Sequence, residues 1–96
     1  MNLENIRQEI DQVDAQLVCL LEKRMDLVDQ VVTYKKSVGK PILDSKREEA
    51  IFEKVRSLIK NDQYQESIVA TFSDILKHSR QYQDKNIKWI KNSSIR

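Results

Sequence analysis

The sequence is poor in residues that interrupt helices: its 96 positions hold one glycine, Gly39, and one proline, Pro41. Sheets need turns and turns draw on glycine and proline, so a fold built from many short strands is excluded. A single cysteine, Cys19, leaves no internal disulfide possible and fits a reducing compartment. No apolar run is long enough to span a bilayer. Met1-Asn2-Leu3-Glu4-Asn5 has no basic segment leading into an apolar stretch, so no signal peptide is expected and the cytoplasm is the expected location. Neither sign of charge dominates: 17 Lys and Arg against 15 Asp and Glu leave a net +2, too balanced to point to nucleic acid or a membrane surface.

Chemical motifs are missing as well. There is no glycine-rich phosphate loop, no pair of cysteines, no H-E-x-x-H and no nucleophile elbow. A Ser-His-Asp triad, a metal site and a cofactor site are therefore not expected. His78 is the one histidine, without the ligand spacing of a metal site, and reads as a surface residue. Any chemistry has to come from the placement of charge and the positioning of a substrate.

What remains is strongly helical, and the length suits one domain. Leu3, Ile6, Ile10, Val13, Leu17, Leu20, Leu21, Leu27, Val28 and Val31 recur at threes and fours, predicting one long helix from about Leu3 to about Lys36. Gly39 and Pro41 punctuate the loop after it. A second helix is expected from Asp44 or Ser45, carrying Ile51, Phe52, Val55, Leu58 and Ile59. Ser45 and Glu48 have capping-box spacing there, with Asp44 as an alternative N-cap. After the polar stretch Lys60-Asn61-Asp62-Gln63, a third helix is expected from about Gln65 to about Ile90. Its apolar set is Ile68, Phe72, Ile75, Leu76, Tyr82, Ile87 and Ile90, and Tyr34, Tyr82 and Trp89 are expected to add packing surface. The domain thus spans residues 1–90, and residues 91–96 are expected to form a frayed or disordered tail.

The first helix would be roughly 50 Å long, whereas a compact chain of this length has a radius of gyration of about 12–13 Å. It would overhang a monomeric globule with much of its apolar stripe in water. A second copy packed along the long helix would cover that stripe, so a homodimer is expected.

Helical-wheel arithmetic at about 100° per residue places Ile6, Val13, Leu17, Arg24, Val31 and Lys35 in one narrow stripe. On the third helix it places Ser79 and Gln83 beside Ile68, Phe72 and Leu76. Four polar residues thus sit where hydrophobes belong. Arg24 and Lys35 could snorkel to solvent along their stems. Alternatively, they line a polar cavity whose countercharge arrives with an anionic ligand, because unpaired buried cations are costly. The four positions together favour the cavity, and two cations with an amide donor suit a small dicarboxylate. The eleven-residue spacing of Arg24 and Lys35 separates them by about 16 Å along the axis, room for one substituted ring. Arg7 lies about a right angle off the stripe and far up the helix, out of reach within its own chain but not across an antiparallel dimer seam. By pattern alone, Asp44 and Glu48 read as capping residues and Arg47 as a solvated surface charge.

These residues also carry a family resemblance, over about Leu3 to about Gln83. Ile6-Arg7-Gln8-Glu9-Ile10-Asp11-Gln12-Val13-Asp14 resembles the "I-R-x-x-I-D-x-I-D" opening of the all-helical chorismate mutases. Leu20-Leu21-Glu22-Lys23-Arg24 with Tyr34-Lys35-Lys36 resembles their "L-L-x-x-R…x-K" segment. Pro41-Ile42-Leu43-Asp44-Ser45-Lys46-Arg47-Glu48 resembles their "P-[IV]-x-D-x-x-R-E" motif. The resemblance implies an all-α fold of three helices per chain in an intertwined homodimer, and the rearrangement of chorismate to prephenate without metal or cofactor. It further implies that Arg24 and the other copy's Arg7 grip the substrate carboxylates, and that Lys35 and Gln83 hydrogen-bond the ether oxygen. Glu48, with the backbone near Asp44, would hold the ring hydroxyl, and Arg47 and Ser79 would complete the polar lining. The alternatives are an isochorismate-pyruvate lyase of the same fold, against which the Arg47-Glu48 pair argues, and a non-catalytic helical dimerisation or ligand-sensing module.

Overall fold

A computed structural model describes residues 2–94, and the side chains of residues 2–87. The chain forms helix α1 (Leu3–Val38), helix α2 (Ser45–Leu58), a single 3-10 turn (Asp62–Tyr64) and helix α3 (Gln65–Ser94), with no strand among the described residues. This is the all-α, three-helix architecture expected from the sequence.

The helix ends follow from local chemistry. Asn2 caps α1, its side-chain oxygen accepting from the Glu4 backbone N–H at 2.8 Å. Glu4 in the first turn and Lys35 and Lys36 in the last complement the helix dipole. The helix stops at Gly39, whose φ of 72° is a left-handed conformation that glycine adopts without penalty; its N–H closes onto the Lys35 carbonyl.

At α2 the capping box is not formed. The N-cap is Asp44, whose carboxylate accepts from the Arg47 N–H at 3.0 Å, so Ser45 is already the first helical residue. Glu48 then lies one position too far along to close back on the cap, and its carboxylate is free to point elsewhere. The end of α3 differs from the expected one. No glycine or proline follows Ile90, and α3 continues to Ser94 rather than ending near 90. Residues 95 and 96, and the side chains of Trp89 and Ile90, lie outside what the structure describes.

Packing is confined to one end of α1. Helix α3 lies against both α1 and α2, and the buried residues are Val28, Val32, Val55 and Leu76 together with the polar Ser79 and Gln83. Val32, outside the apolar set read from spacing, is the more deeply buried of the two α1 valines, while its neighbour Val31 stays 42% exposed. The reason is geometric: α3 approaches the flank of the α1 stripe rather than its centre. A second tie between these helices is the hydrogen bond from the Tyr82 hydroxyl to the Asp29 carboxylate. That bond, with partial desolvation and the negative field of Asp29 and Asp26, raises the Tyr82 phenol above its ordinary pKa.

Towards its N-terminus, before Leu17, α1 projects beyond this contact. The molecule measures 62 × 27 × 15 Å, with a radius of gyration of 17.2 Å, well above the value of about 12–13 Å for a compact chain of this length. Ile10, Val13, Leu17 and Leu20 are each about half exposed or more. On the wheel they continue the same face that carries Arg24 and Lys35 towards α3.

Candidate active site

Where α1, α2 and α3 meet, they enclose a cavity of about 260 Å³. Its floor is apolar, from Val28, Ile51 and Leu76, and its walls carry four cations (Arg24, Lys35, Arg47 and Arg80) against two carboxylates (Asp44 and Glu48). Ser79 and Gln83 complete the polar wall. Seven of the eight residues singled out from the sequence therefore share one space. The eighth, Arg7, is exposed and is not part of this cavity.

Several of the polar side chains are held by definable contacts. Lys35 is half-buried, and its ammonium donates to the Ile42 carbonyl at 2.7 Å and to Gln83 Oε1 at 3.2 Å. The first bond ties the loop after α1 to the site; the second links α1 to α3. Because an ammonium only donates, Lys35 turns the carbonyl end of the Gln83 amide towards itself. The amide nitrogen then faces back along α3 and donates to Ser79 Oγ, 3.2 Å away and one helical turn earlier. Ser79 and Gln83 are the two buried polar residues of the described core, and they partner each other.

Arg24 is different. It is half-buried and lines the cavity, yet its Nη1 is fully enclosed without a hydrogen-bond partner. An enclosed guanidinium N–H without an acceptor is unfavourable by roughly 1–3 kcal/mol, and a carboxylate is the geometric match for its fork. Snorkelling is thus not the arrangement adopted by either α1 cation.

On α2, Asp44 is occupied with capping, and Arg47 sits exposed at the rim. Arg47 is thus exposed and also lines the cavity. Glu48 is part-buried and engages a residue that the sequence pattern did not single out: Nη1 of Arg80 donates to both of its carboxylate oxygens at 2.5 Å. The one signal available was position. Arg80 follows Ser79 directly and precedes Gln83 by one turn, so it lies on the edge of the site-bearing face of α3.

His78 is exposed and contacts Gln81, in keeping with a surface role. Among the described residues no group of three or more His, Cys, Asp or Glu side chains is placed to hold a metal ion. No helix among them is long and apolar enough to cross a membrane.

Chemically, the cavity can bind a small dianion with its excess of positive charge. It can also offer directed N–H donors to an oxygen between Lys35 and Gln83, and an acceptor at Glu48. Comparison with known proteins agrees with this inventory. The chain is 29% identical over 93 residues to a chorismate mutase of Methanocaldococcus jannaschii, covering 96% of this chain and 94% of that protein. No solved structure gives a significant match. The sequence profile of the family chorismate mutase type II matches residues 6–84, which hold every residue of the cavity wall, and the chain belongs to that family.

Proposed function

We propose that the chain is a chorismate mutase, rearranging chorismate to prephenate on the route to phenylalanine and tyrosine, as a cytoplasmic homodimer. The observation that carries this reading is the convergence of Arg24, Lys35, Glu48 and Gln83 on one cavity, with an enclosed Arg24 N–H lacking an acceptor. Chorismate is a dicarboxylate with a ring hydroxyl and an ether oxygen, and the wall offers a group for each.

The rearrangement is a [3,3]-sigmatropic shift that needs no nucleophile and no proton transfer. The enolpyruvyl arm has to be folded over the ring, an entropic cost that cation clamps on the two carboxylates reduce. Arg24 is one clamp, and its missing partner is a substrate carboxylate. As the C–O bond lengthens ahead of C–C closure, negative charge gathers on the ether oxygen. Lys35 has three N–H groups and uses two; the Gln83 amide has two and uses one. Each therefore keeps one donor for that oxygen, and donors fixed in advance stabilise the charge more in the transition state than in the ground state. Glu48 retains lone pairs for the ring hydroxyl beyond those taken by Arg80. Arg47 at the rim and Ser79 behind Gln83 complete the set, and the backbone near Asp44 supports the hydroxyl.

The dimer supplies what the single chain lacks. The half-exposed Ile10, Val13, Leu17 and Leu20 continue the site-bearing face of α1 towards its N-terminus. A second, antiparallel copy would cover them and carry its own Arg7 towards the first copy's cavity, adding a cation for the second carboxylate. The direct test is a spectroscopic assay of chorismate consumption with identification of the product. Prephenate supports the proposal; no turnover, or pyruvate released from isochorismate instead, refutes it.

A further inference from the structure

The wall residue with no role so far is Arg80. It reaches from α3 to α2, and one of its nitrogens, Nη1, donates to both oxygens of Glu48. Both side chains are partly shielded, with 33% of Arg80 and 22% of Glu48 exposed, and both line the cavity. The salt bridge joins two helices at the site rather than at the surface.

Two consequences follow from electrostatics. First, Glu48 is released from the helix cap because Asp44 fills that position, so nothing on α2 fixes its rotamer. The contact that does so comes from Arg80. Second, a bare carboxylate in the wall would repel an incoming dicarboxylate at short range, where the screening of water is weakest. A guanidinium bound to both oxygens cancels that repulsion and leaves the remaining lone pairs directed to the cavity.

Resting on the mutase reading above, we infer that Arg80 is a positioning residue: it neutralises Glu48 and presents it to the ring hydroxyl of the substrate, acting through that carboxylate rather than on the substrate itself. The interaction it supports is present in ground and transition states alike, so its loss falls on KM more than on kcat.

A double-mutant cycle tests this, with steady-state chorismate kinetics on Arg80→Ala, Glu48→Gln and the double variant, and circular dichroism on each. Arg80→Ala is expected to lower kcat/KM by about 10- to 100-fold, chiefly through KM, as befits a lost hydrogen bond to a charged group. In the Glu48→Gln background the same change should cost less than about threefold, because the carboxylate it serves is gone. Arg80→Lys should recover much of the loss. If the alanine variant loses helical signal, Arg80→Gln, which keeps most of the stem, takes its place in the cycle. Equal losses in both backgrounds overturn the inference and assign Arg80 to the substrate or to the fold alone. No turnover by the unaltered chain overturns the mutase reading and this inference with it, whereas turnover with an additive cycle overturns only the inference.

Discussion

The Lys35 ammonium and the Gln83 amide, 48 residues apart in the chain, share a hydrogen bond of 3.2 Å. The two cannot meet unless α1 and α3 are packed in this register, so the bond reports on the fold as well as the site. It also sets the orientation of the Gln83 amide, whose nitrogen consequently faces Ser79. With each side chain keeping an unused donor, this pair is the electrophilic end of the cavity.

Removing either donor should therefore fall on kcat. Lys35→Ala is expected to reduce kcat by two to three orders of magnitude or more, as about 10²–10³ is typical for a single lost oxyanion donor. Helical content, read by circular dichroism, should be retained. Gln83→Glu probes the same pair through pH. A glutamine donates at any pH, but a glutamic acid donates only while protonated, so the variant's activity should be shifted to the acid side. An unchanged pH–rate profile would remove Gln83 from the ether oxygen.

Arg24 predicts opposite effects on stability and on binding. Its enclosed Nη1 has no acceptor in the free protein, so replacing it with an apolar side chain of similar length relieves a desolvation cost. Arg24→Met should raise the stability of the ligand-free chain by about 1 kcal/mol while abolishing turnover. Urea denaturation checks the first half and the chorismate assay the second. Lost stability accompanying lost activity would show that the guanidinium is structural.

Tyr82 gives a pH prediction away from the cavity. Its phenol is raised first by the hydrogen bond to Asp29, then by desolvation and by the charges of Asp29 and Asp26. A raised folded-state pKa means that the neutral phenol is favoured by folding. Its contribution to stability is complete below the ordinary tyrosine pKa and is lost as pH rises through the higher folded value. Tyr82→Phe should therefore be less stable than the unaltered chain near neutrality. The difference should narrow above about pH 10, which thermal unfolding across alkaline pH would reveal.

How much of this was visible in the sequence depends on which interactions are local. Helix bounds were legible to within a few residues because caps and breakers act over one turn: Asn2, Gly39 and Asp44 each do their work on their neighbours. Arg24, Lys35, Ser79 and Gln83 were legible because a polar residue on an apolar face breaks a periodic pattern. Arg80 broke no pattern. It sits at the edge of its face, and only the approach of α2 in three dimensions gives it Glu48 as a partner. The capping-box reading of Glu48 failed for a related reason, since Asp44 and Ser45 compete for one cap and their spacing does not decide between them. Burial of Val32 in preference to Val31 likewise depends on the direction from which α3 approaches, which no single-helix wheel contains.

A site shared between two copies, as proposed, makes a quantitative prediction about mixtures. If each cavity combines Lys35 of one copy with Arg7 of the other, then Arg7→Ala and Lys35→Ala chains are each inactive alone. Unfolding and refolding them together at equal amounts gives half heterodimers by random pairing. Each heterodimer has one cavity with both residues intact and one lacking both. About a quarter of full activity should return in the mixture. A mixture no more active than its separate components, with dimers present by light scattering, would place Arg7 outside the site. Adding Leu17→Glu to both chains should prevent the recovery, because a carboxylate on the half-exposed apolar face of α1 has to be desolvated for the two helices to pack.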